Sequence, residues 1–162
     1  MAGLIIRNGV ADDVELILDF IIKLAEYEKL AHEVVATTEQ LEKVLFGEKA
    51  YAEVLIAELA DKPVGFALYF FNFSTFLAKP GLYLEDLYVV PEARGQKVGK
   101  SLLIRLAQIA LEKDCGRFEW WVLDWNQSAI DFYRSIGAVG MDEWTVQRVD
   151  GQALTHLANL SL

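Results

Sequence analysis

Three stretches of this sequence carry side chains whose type and spacing could do chemistry. The first is Arg94-Gly95-Gln96-Lys97-Val98-Gly99-Lys100, a glycine-containing loop between an apolar strand and a helix. Glycines let a backbone approach a ligand closely, and the first turn of a helix leaves N–H groups unpaired at its positive end. Such donors suit a phosphate or pyrophosphate. Arg94, Lys97 and Lys100 add cations in an otherwise acidic chain. The loop is not a Walker loop, because no Gly-Lys-Ser/Thr follows at the required spacing, and it lacks the Gly-x-Gly-x-x-Gly of a dinucleotide site. On this segment alone, an anion-binding turn and a basic surface turn are both open.

The second stretch is Leu82-Tyr83-Leu84-Glu85-Asp86-Leu87-Tyr88-Val89-Val90, a nearly apolar strand interrupted by two carboxylates. Strict alternation puts Leu82, Leu84, Asp86, Tyr88 and Val90 on one face and Tyr83, Glu85, Leu87 and Val89 on the other. Burying an unpaired carboxylate is costly, so each needs a cation, a cleft, an exposed edge or a raised pKa. The third stretch runs from Trp125-Asn126 to Phe132-Tyr133-Arg134. Asn126 can cap the helix that begins there, and Tyr133 lies two turns along, where a core role and a catalytic role are both open.

The remaining candidates carry less. His32 and His156 lack metal-ligand spacing, which points to no metal site. Cys115, the single cysteine, sits in a Lys-Asp-Cys-Gly turn with no histidine nearby in sequence, a poor setting for a covalent nucleophile. It also excludes an internal disulfide and a multi-thiol zinc site. Trp120, Trp121 and Trp125 read as sheet core and its edge.

These residues must be positioned by a chain of 162 residues, room for one domain spanning 1–162. Leu4–Arg7 reads as a strand and Ala11–Leu30 as a helix on the spacing of Val14, Ile17, Leu18, Ile21 and Leu24. Thr38 opens a shorter helix through Leu41 and Leu45. Glu53–Leu59 and Pro63–Asn72 read as strands joined by a hairpin turn at Ala60-Asp61-Lys62. A helix with the stripe Leu102, Leu103, Leu106, Ile109 and Ala110 follows the glycine loop, then a strand Arg117–Leu123 and a helix Asn126–Ile136. The tail offers Thr145–Val149, a turn at Asp150-Gly151 and a short ending. Strands come in a run before they alternate with helices, which predicts an α+β fold on a mixed sheet. The formal charge of −9, from 15 basic and 24 acidic residues, argues against nucleic acid or an anionic membrane as partner and would steer a cationic small molecule. The N-terminal residues do not read as a secretory signal and the most apolar run, Val64–Phe71, is too short to span a bilayer, so a cytoplasmic location is expected.

Taken in order, these stretches resemble the GNAT superfamily of acetyl-CoA-dependent N-acetyltransferases. The family pattern at the turn is Arg/Gln-x-x-Gly-x-Gly/Ala; here Lys97 replaces the first patterned glycine and Gly99 keeps the second. Leu24-Ala25-Glu26-Tyr27-Glu28, Val64 through Phe71, Tyr83-Leu84-Glu85-Asp86-Leu87, Trp125-Asn126 and Phe132-Tyr133 are similar to the diamine (spermidine/spermine) and thialysine acetyltransferases, so the likeness spans nearly the whole chain.

The resemblance implies a twisted mixed sheet whose middle strands splay apart, with the pantetheine arm of acetyl-CoA in the gap. The strand backbone of Leu87, Tyr88 and Val89 would pair with that arm, and Arg94, Gly95, Gln96, Lys97, Val98, Gly99 and Lys100 would hold the pyrophosphate. Asn126 and Tyr133 would lie near the cofactor, with Tyr133 as general acid and Glu85 as base or water-positioning carboxylate. Glu28, Glu85 and Asp86 match positions associated with polyamine recognition, and a homodimer is implied. Acetyl transfer to a small cationic amine is then the expected activity, by direct attack because Cys115 makes a poor relay. A protein lysine or N-terminus as acceptor, or a non-catalytic acyl-CoA-binding module, are the competing expectations. Because a side chain at φ > 0 is strained, Lys97 is expected in an ordinary helical-start conformation.

Overall fold

Five strands form one sheet in chain order: β1 (Leu4–Asn8), β2 (Glu53–Leu59), β3 (Lys62–Ser74), β4 (Lys79–Val89) and β5 (Arg117–Trp120). The first four are antiparallel neighbours and β5 runs parallel to β4, so the sheet is mixed and the fold is α+β as the sequence predicts. The computed structural model describes residues 3–161. They divide into two compact units, one ending at Leu123 and one beginning at Asp124.

In the first unit the helices are α1 (Val14–Tyr27), entered through a 3₁₀ turn at Ala11–Asp13, then α2 (Thr38–Phe46) and α3 (Val98–Glu112). α2 starts at a reciprocal cap: Thr37 Oγ1 accepts from Gln40 N–H at 3.2 Å and Gln40 Oε1 accepts from Thr37 N–H at 3.0 Å. Helix α1 stops because Lys29 turns left-handed (φ 62). The Leu30 N–H then reaches the Ala25 carbonyl at 2.7 Å and the Lys29 N–H the Glu26 carbonyl at 3.1 Å. That closure leaves Glu28 at the end of α1 and reverses the chain toward Glu33. The β2–β3 hairpin closes over Ala60 and Asp61, both at positive φ (50 and 61), the backbone a two-residue turn needs.

Both faces of the sheet are covered. Val14, Ile17, Phe20 and Leu24 of α1 and Leu41 and Leu45 of α2 pack with Val54, Ile56, Phe66, Leu68 and Tyr88. At its centre the Phe20 ring stacks on Phe66 at 5.4 Å and meets Tyr88 at 6.1 Å. Buried rings and aliphatic chains of this size contribute about 1.5–3 kcal/mol each. The opposite face buries Leu55, Ala57, Ala67 and Tyr69, and α3 buries Val98, Leu102 and Leu106. Tyr69 feels the charges of Arg105 and Glu112 on α3, which places it on that side.

Strict alternation along β4 fails at one residue. Leu68 pairs with Asp86 but Tyr69 pairs with Leu84, so Glu85 is an extra residue, a β-bulge. One inserted residue moves every later side chain to the other face. Leu82 and Leu84 therefore share a face with Phe71 and Tyr69, while Asp86 and Tyr88 share the α1 face with Leu68 and Phe66. The expected single row of Leu82, Leu84, Asp86 and Tyr88 is corrected accordingly.

The second unit carries α4 (Gln127–Ser135) and α5 (Gly151–Ala158). Asn126 caps α4 as expected, its Oδ1 accepting from Ala129 N–H at 3.3 Å. Thr145–Val149 forms no regular element. The Asp150-Gly151 turn is instead the entry to α5, with Asp150 at its N-cap. Trp121 and Trp125 are 58% and 53% exposed, so neither is core; Trp120 is half-buried, its ring 4.8 Å from Phe118.

Candidate active site

Strand β4 holds the site together because it has two different halves. Its pairing with β5 covers only Gly81 to Leu84, opposite Arg117 to Trp120. Beyond Leu84, no strand among the described residues lies on that side of β4. On the other side Val90 N–H donates to Val64 C=O at 2.9 Å. Backbone groups alternate in an antiparallel strand, so the N–H and C=O of Leu87 and Val89 turn toward the open edge while those of Tyr88 turn toward β3. The backbone can accept an extended partner at Leu87 and Val89, and Tyr88 contributes its ring instead, buried against Phe20.

The chain leaves β4 through a 3₁₀ turn at Pro91–Ala93 and enters the loop Arg94–Lys97. The first backbone bond of α3 is Ser101 N–H to Lys97 C=O at 2.9 Å, so the amides of Val98, Gly99 and Lys100 precede the helical ladder. Gly95 takes φ +78, and a methyl group there would meet nothing within 4 Å; one at Gly99 would meet only Val89 Cγ2, at 3.7 Å. Bare backbone at both glycines, with exposed Gln96, Lys97 and Lys100 around it, makes a cradle fit for a pyrophosphate. Lys97 itself is left-handed, at φ 63 and ψ 12, and is the N-cap of α3. This overturns the expected helical-start conformation. The chain must reverse at that residue to send the three amides outward, and a lysine there carries the strain of roughly 1–2 kcal/mol that a glycine would avoid. Arg94 is engaged: its Nε donates to Val89 C=O at 3.1 Å and its guanidinium lies over Tyr27 and Tyr88, 5.1 and 5.8 Å from the ring centroids.

On the α1 side of β4 lies a cleft of about 150 Å³ lined by Ile21, Leu24, Ala25, Glu28, Leu30, Glu33, Val34 and Asp86. Glu28 and Asp86, two of the three residues matched to amine recognition, are thus brought together, and Glu33 joins them. No sequence motif marks Glu33; only the tight closure of α1 returns it to the cleft. Burial pushes the Asp86 carboxyl up to about 7, with the charges of Glu85 and Glu28 adding to it. Burial likewise raises Glu28 above the usual carboxylate range. Glu85, at the bulge, is exposed to solvent. It sits beside the cleft without lining it, yet close enough for its charge to act on Asp86. In the second unit Tyr133 is half-buried on α4, its ring 5.7 Å from Phe132, and Asn126 stands at the start of the same helix. An acidic cleft with apolar walls attracts an alkyl ammonium group, and its raised carboxyl can accept a proton near neutral pH.

Residues 21–138 match the acetyltransferase (GNAT) family. The chain is 40% identical to the pig (Sus scrofa) thialysine N-epsilon-acetyltransferase, across 98% of this chain and 99% of that protein. It is 35% identical to the human spermidine/spermine N(1)-acetyltransferase-like protein 1, across 94% of this chain and 23% of that one. Among solved structures, an integron cassette protein from the mobile metagenome of V. cholerae superposes with a TM-score of 0.82 at 30% identity, covering 99% of this chain and 100% of that one. With its mixed sheet, its glycine turn into α3 and these likenesses, the chain belongs to the GNAT acetyltransferase family and is an N-acetyltransferase.

Proposed function

We propose that this enzyme moves an acetyl group from acetyl-CoA to a primary amine of a small cationic compound: a polyamine, a diamine or a lysine-like amine such as thialysine. The observation that carries the substrate class is the meeting of Glu28, Glu33 and Asp86 in one apolar-walled cleft. Carboxylates at separate points of such a cleft suit a ligand with more than one cationic nitrogen on an alkyl chain. The −9 formal charge helps draw that ligand in. The relatives named for thialysine and spermidine/spermine acetylation support the same class. Residues 1–162 act as one acetyltransferase domain in this reading, since the family match crosses Leu123, and the family's usual homodimer is the expected assembly.

Acetyl-CoA supplies the acetyl group as a reactive thioester. Leu87 would hold its extended arm through its outward backbone groups, the Val89 N–H would face its thioester end, and the amides of Val98, Gly99 and Lys100 with Lys97 would hold its pyrophosphate. Asn126 belongs to the same set. An alkyl ammonium with a pKa of about 10 must lose a proton before it can attack. Glu85 would take that proton directly or through a water, the Val89 N–H would oppose charge on the thioester carbonyl oxygen, and Tyr133 would donate a proton to the sulfur as the amine displaces it. A second assignment of the base rests on one observation: Asp86, not Glu85, lines the cleft with its carboxyl raised to about 7. Glu85→Gln and Asp86→Asn separate the two, because losing the base lowers kcat at saturating amine, whereas losing an amine contact raises KM.

The test of the activity is CoA thiol release from acetyl-CoA with spermidine, spermine, putrescine, thialysine, lysine and a lysine peptide. Saturable turnover with a free amine is expected. Turnover with the peptide alone would establish a protein acceptor, and CoA binding with no thiol release would indicate a non-catalytic acyl-CoA module. Tyr133→Phe is expected to cut kcat by roughly 10²-fold or more while acetyl-CoA affinity stays within a few-fold. Equal turnover in that variant removes Tyr133 from the mechanism.

A further inference from the structure

The side chain of Arg94 is exposed, yet its guanidinium is engaged by the fold. It lies over the rings of Tyr27 and Tyr88 and donates to the Val89 carbonyl at 3.1 Å. Tyr27 is the last residue of α1, next to Glu28. Tyr88 lies two residues beyond Asp86 on the same face of β4. One planar cation therefore spans the end of α1, the end of β4 and the first residue of the loop. The walls of the amine cleft are that same last turn of α1, the segment that follows it, and Asp86 of β4.

We propose that Arg94 is a positioning residue for the amine cleft, a clamp whose stacking on Tyr27 and Tyr88 sets the distance between Glu28 and Asp86, in addition to opening the acetyl-CoA turn. The inference rests on the reading of the cleft as the amine site. A guanidinium is suited to this and an ammonium is not. Its flat face covers two rings while its edge keeps an N–H in line with a carbonyl; lysine offers a point charge on a flexible stem. Charge near the phosphates and geometry at the cleft can thus be separated in one substitution. A residue that acted only on the cofactor would not influence amine binding to the enzyme.

The experiment is calorimetric titration of spermidine and of thialysine into the wild type, Arg94→Lys and Arg94→Ala, each with and without saturating CoA, and of CoA into the three proteins. The clamp predicts that Arg94→Lys weakens amine binding five-fold or more, close to Arg94→Ala, while its CoA affinity stays within about three-fold of wild type. In a cycle with Tyr27→Ala, the double variant Tyr27→Ala/Arg94→Ala should bind amine no more weakly than Arg94→Ala alone, because both changes remove one contact. Additive losses overturn the clamp. So does unchanged amine affinity in both Arg94 variants when the wild type binds. A wild type that binds neither amine, with or without CoA, overturns the reading of the cleft itself and the inference with it. Arg94 is exposed, so the variants should fold; thermal melts within a few degrees of wild type verify that.

Discussion

Asp13 and Asp86 are both aspartates withdrawn from solvent on the first unit of the chain, and their environments drive them in opposite directions. Asp13 is buried and accepts a two-pronged pair from Arg7, at 2.7 and 2.9 Å, with the Val10 N–H at 2.8 Å. Arg7 also donates to Glu58 at 2.8 Å, which ties β1, the 3₁₀ turn and β2 together. The Arg7 guanidinium holds the Asp13 carboxyl below the usual range. Asp86 has the reverse surroundings: among the described residues no cation lines its cleft, two other carboxylates do, and burial drives its carboxyl up to about 7. A carboxylate given its cation by the fold serves the fold. One left among other carboxylates is set up for a cation that the fold does not supply.

The strongest way to break this contrast is to neutralise each aspartate in turn. Asp13→Asn should cost about 3 kcal/mol in urea unfolding, because Arg7 loses its principal partner in a partly buried place. Its amine KM should stay near wild type once the protein is folded. Asp86→Asn should do the opposite, with amine KM raised roughly 30-fold, equivalent to about 2 kcal/mol, and stability at pH 8 equal to wild type or higher. A large stability loss in Asp86→Asn would show that its carboxylate has a structural partner, and the two sites would then be alike.

Acidity gives a second, smaller effect. Asp13 has a folded pKa below its unfolded value, so its contribution is fully present above about pH 4 and fades as the pH falls through the depressed value. Asp86 has a folded pKa above its unfolded value, so ionising it costs stability as the pH rises from about 4 to about 7, and that cost is constant above 7. Relative to wild type, Asp86→Asn should therefore gain stability over the same interval and level off beyond it. Amine affinity should rise between pH 6 and 8, because the ammonium stays protonated there while Asp86 ionises. Titration of spermidine at pH 6, 7 and 8 reads this directly. A pH-independent affinity for wild type and Asp86→Asn alike would remove Asp86 from recognition.

How far the sequence discloses this site depends on whether a residue acts through its own segment or through a distant one. Asn126 as a helix cap, the apolar stripe of α3 and the hairpin at Ala60-Asp61 are written in a few consecutive residues, and the structure has them. Glu85 and Asp86 were visible as carboxylates in an apolar strand, but the bulge that sends Asp86 to the α1 face depends on the register with β3. Glu33 had no local signal; it enters the cleft because α1 closes at Lys29. The same holds for Arg94, whose basic charge suggested phosphate while its rings come from α1 and β4.

Lys97 is the clearest case of a local rule overruled. Steric preference alone favours φ < 0 for lysine, yet the entry to α3 requires a left-handed residue there, and the family's preference for glycine follows from the same requirement. Two terms oppose each other when that lysine is replaced. Lys97→Gly relieves the left-handed strain of roughly 1–2 kcal/mol but adds freedom to the unfolded chain, which returns about 0.5–1 kcal/mol. The net is a gain of about 0.5 kcal/mol, visible as a melting point raised by one to two degrees. The lysine's charge beside the proposed phosphate cradle is lost in the same variant, so CoA affinity should fall a few-fold, and more at low salt than at high salt. If CoA binding improved instead, the lysine would be an obstruction at the turn and not a contact, and the cradle would be formed by the amides of Val98, Gly99 and Lys100 alone.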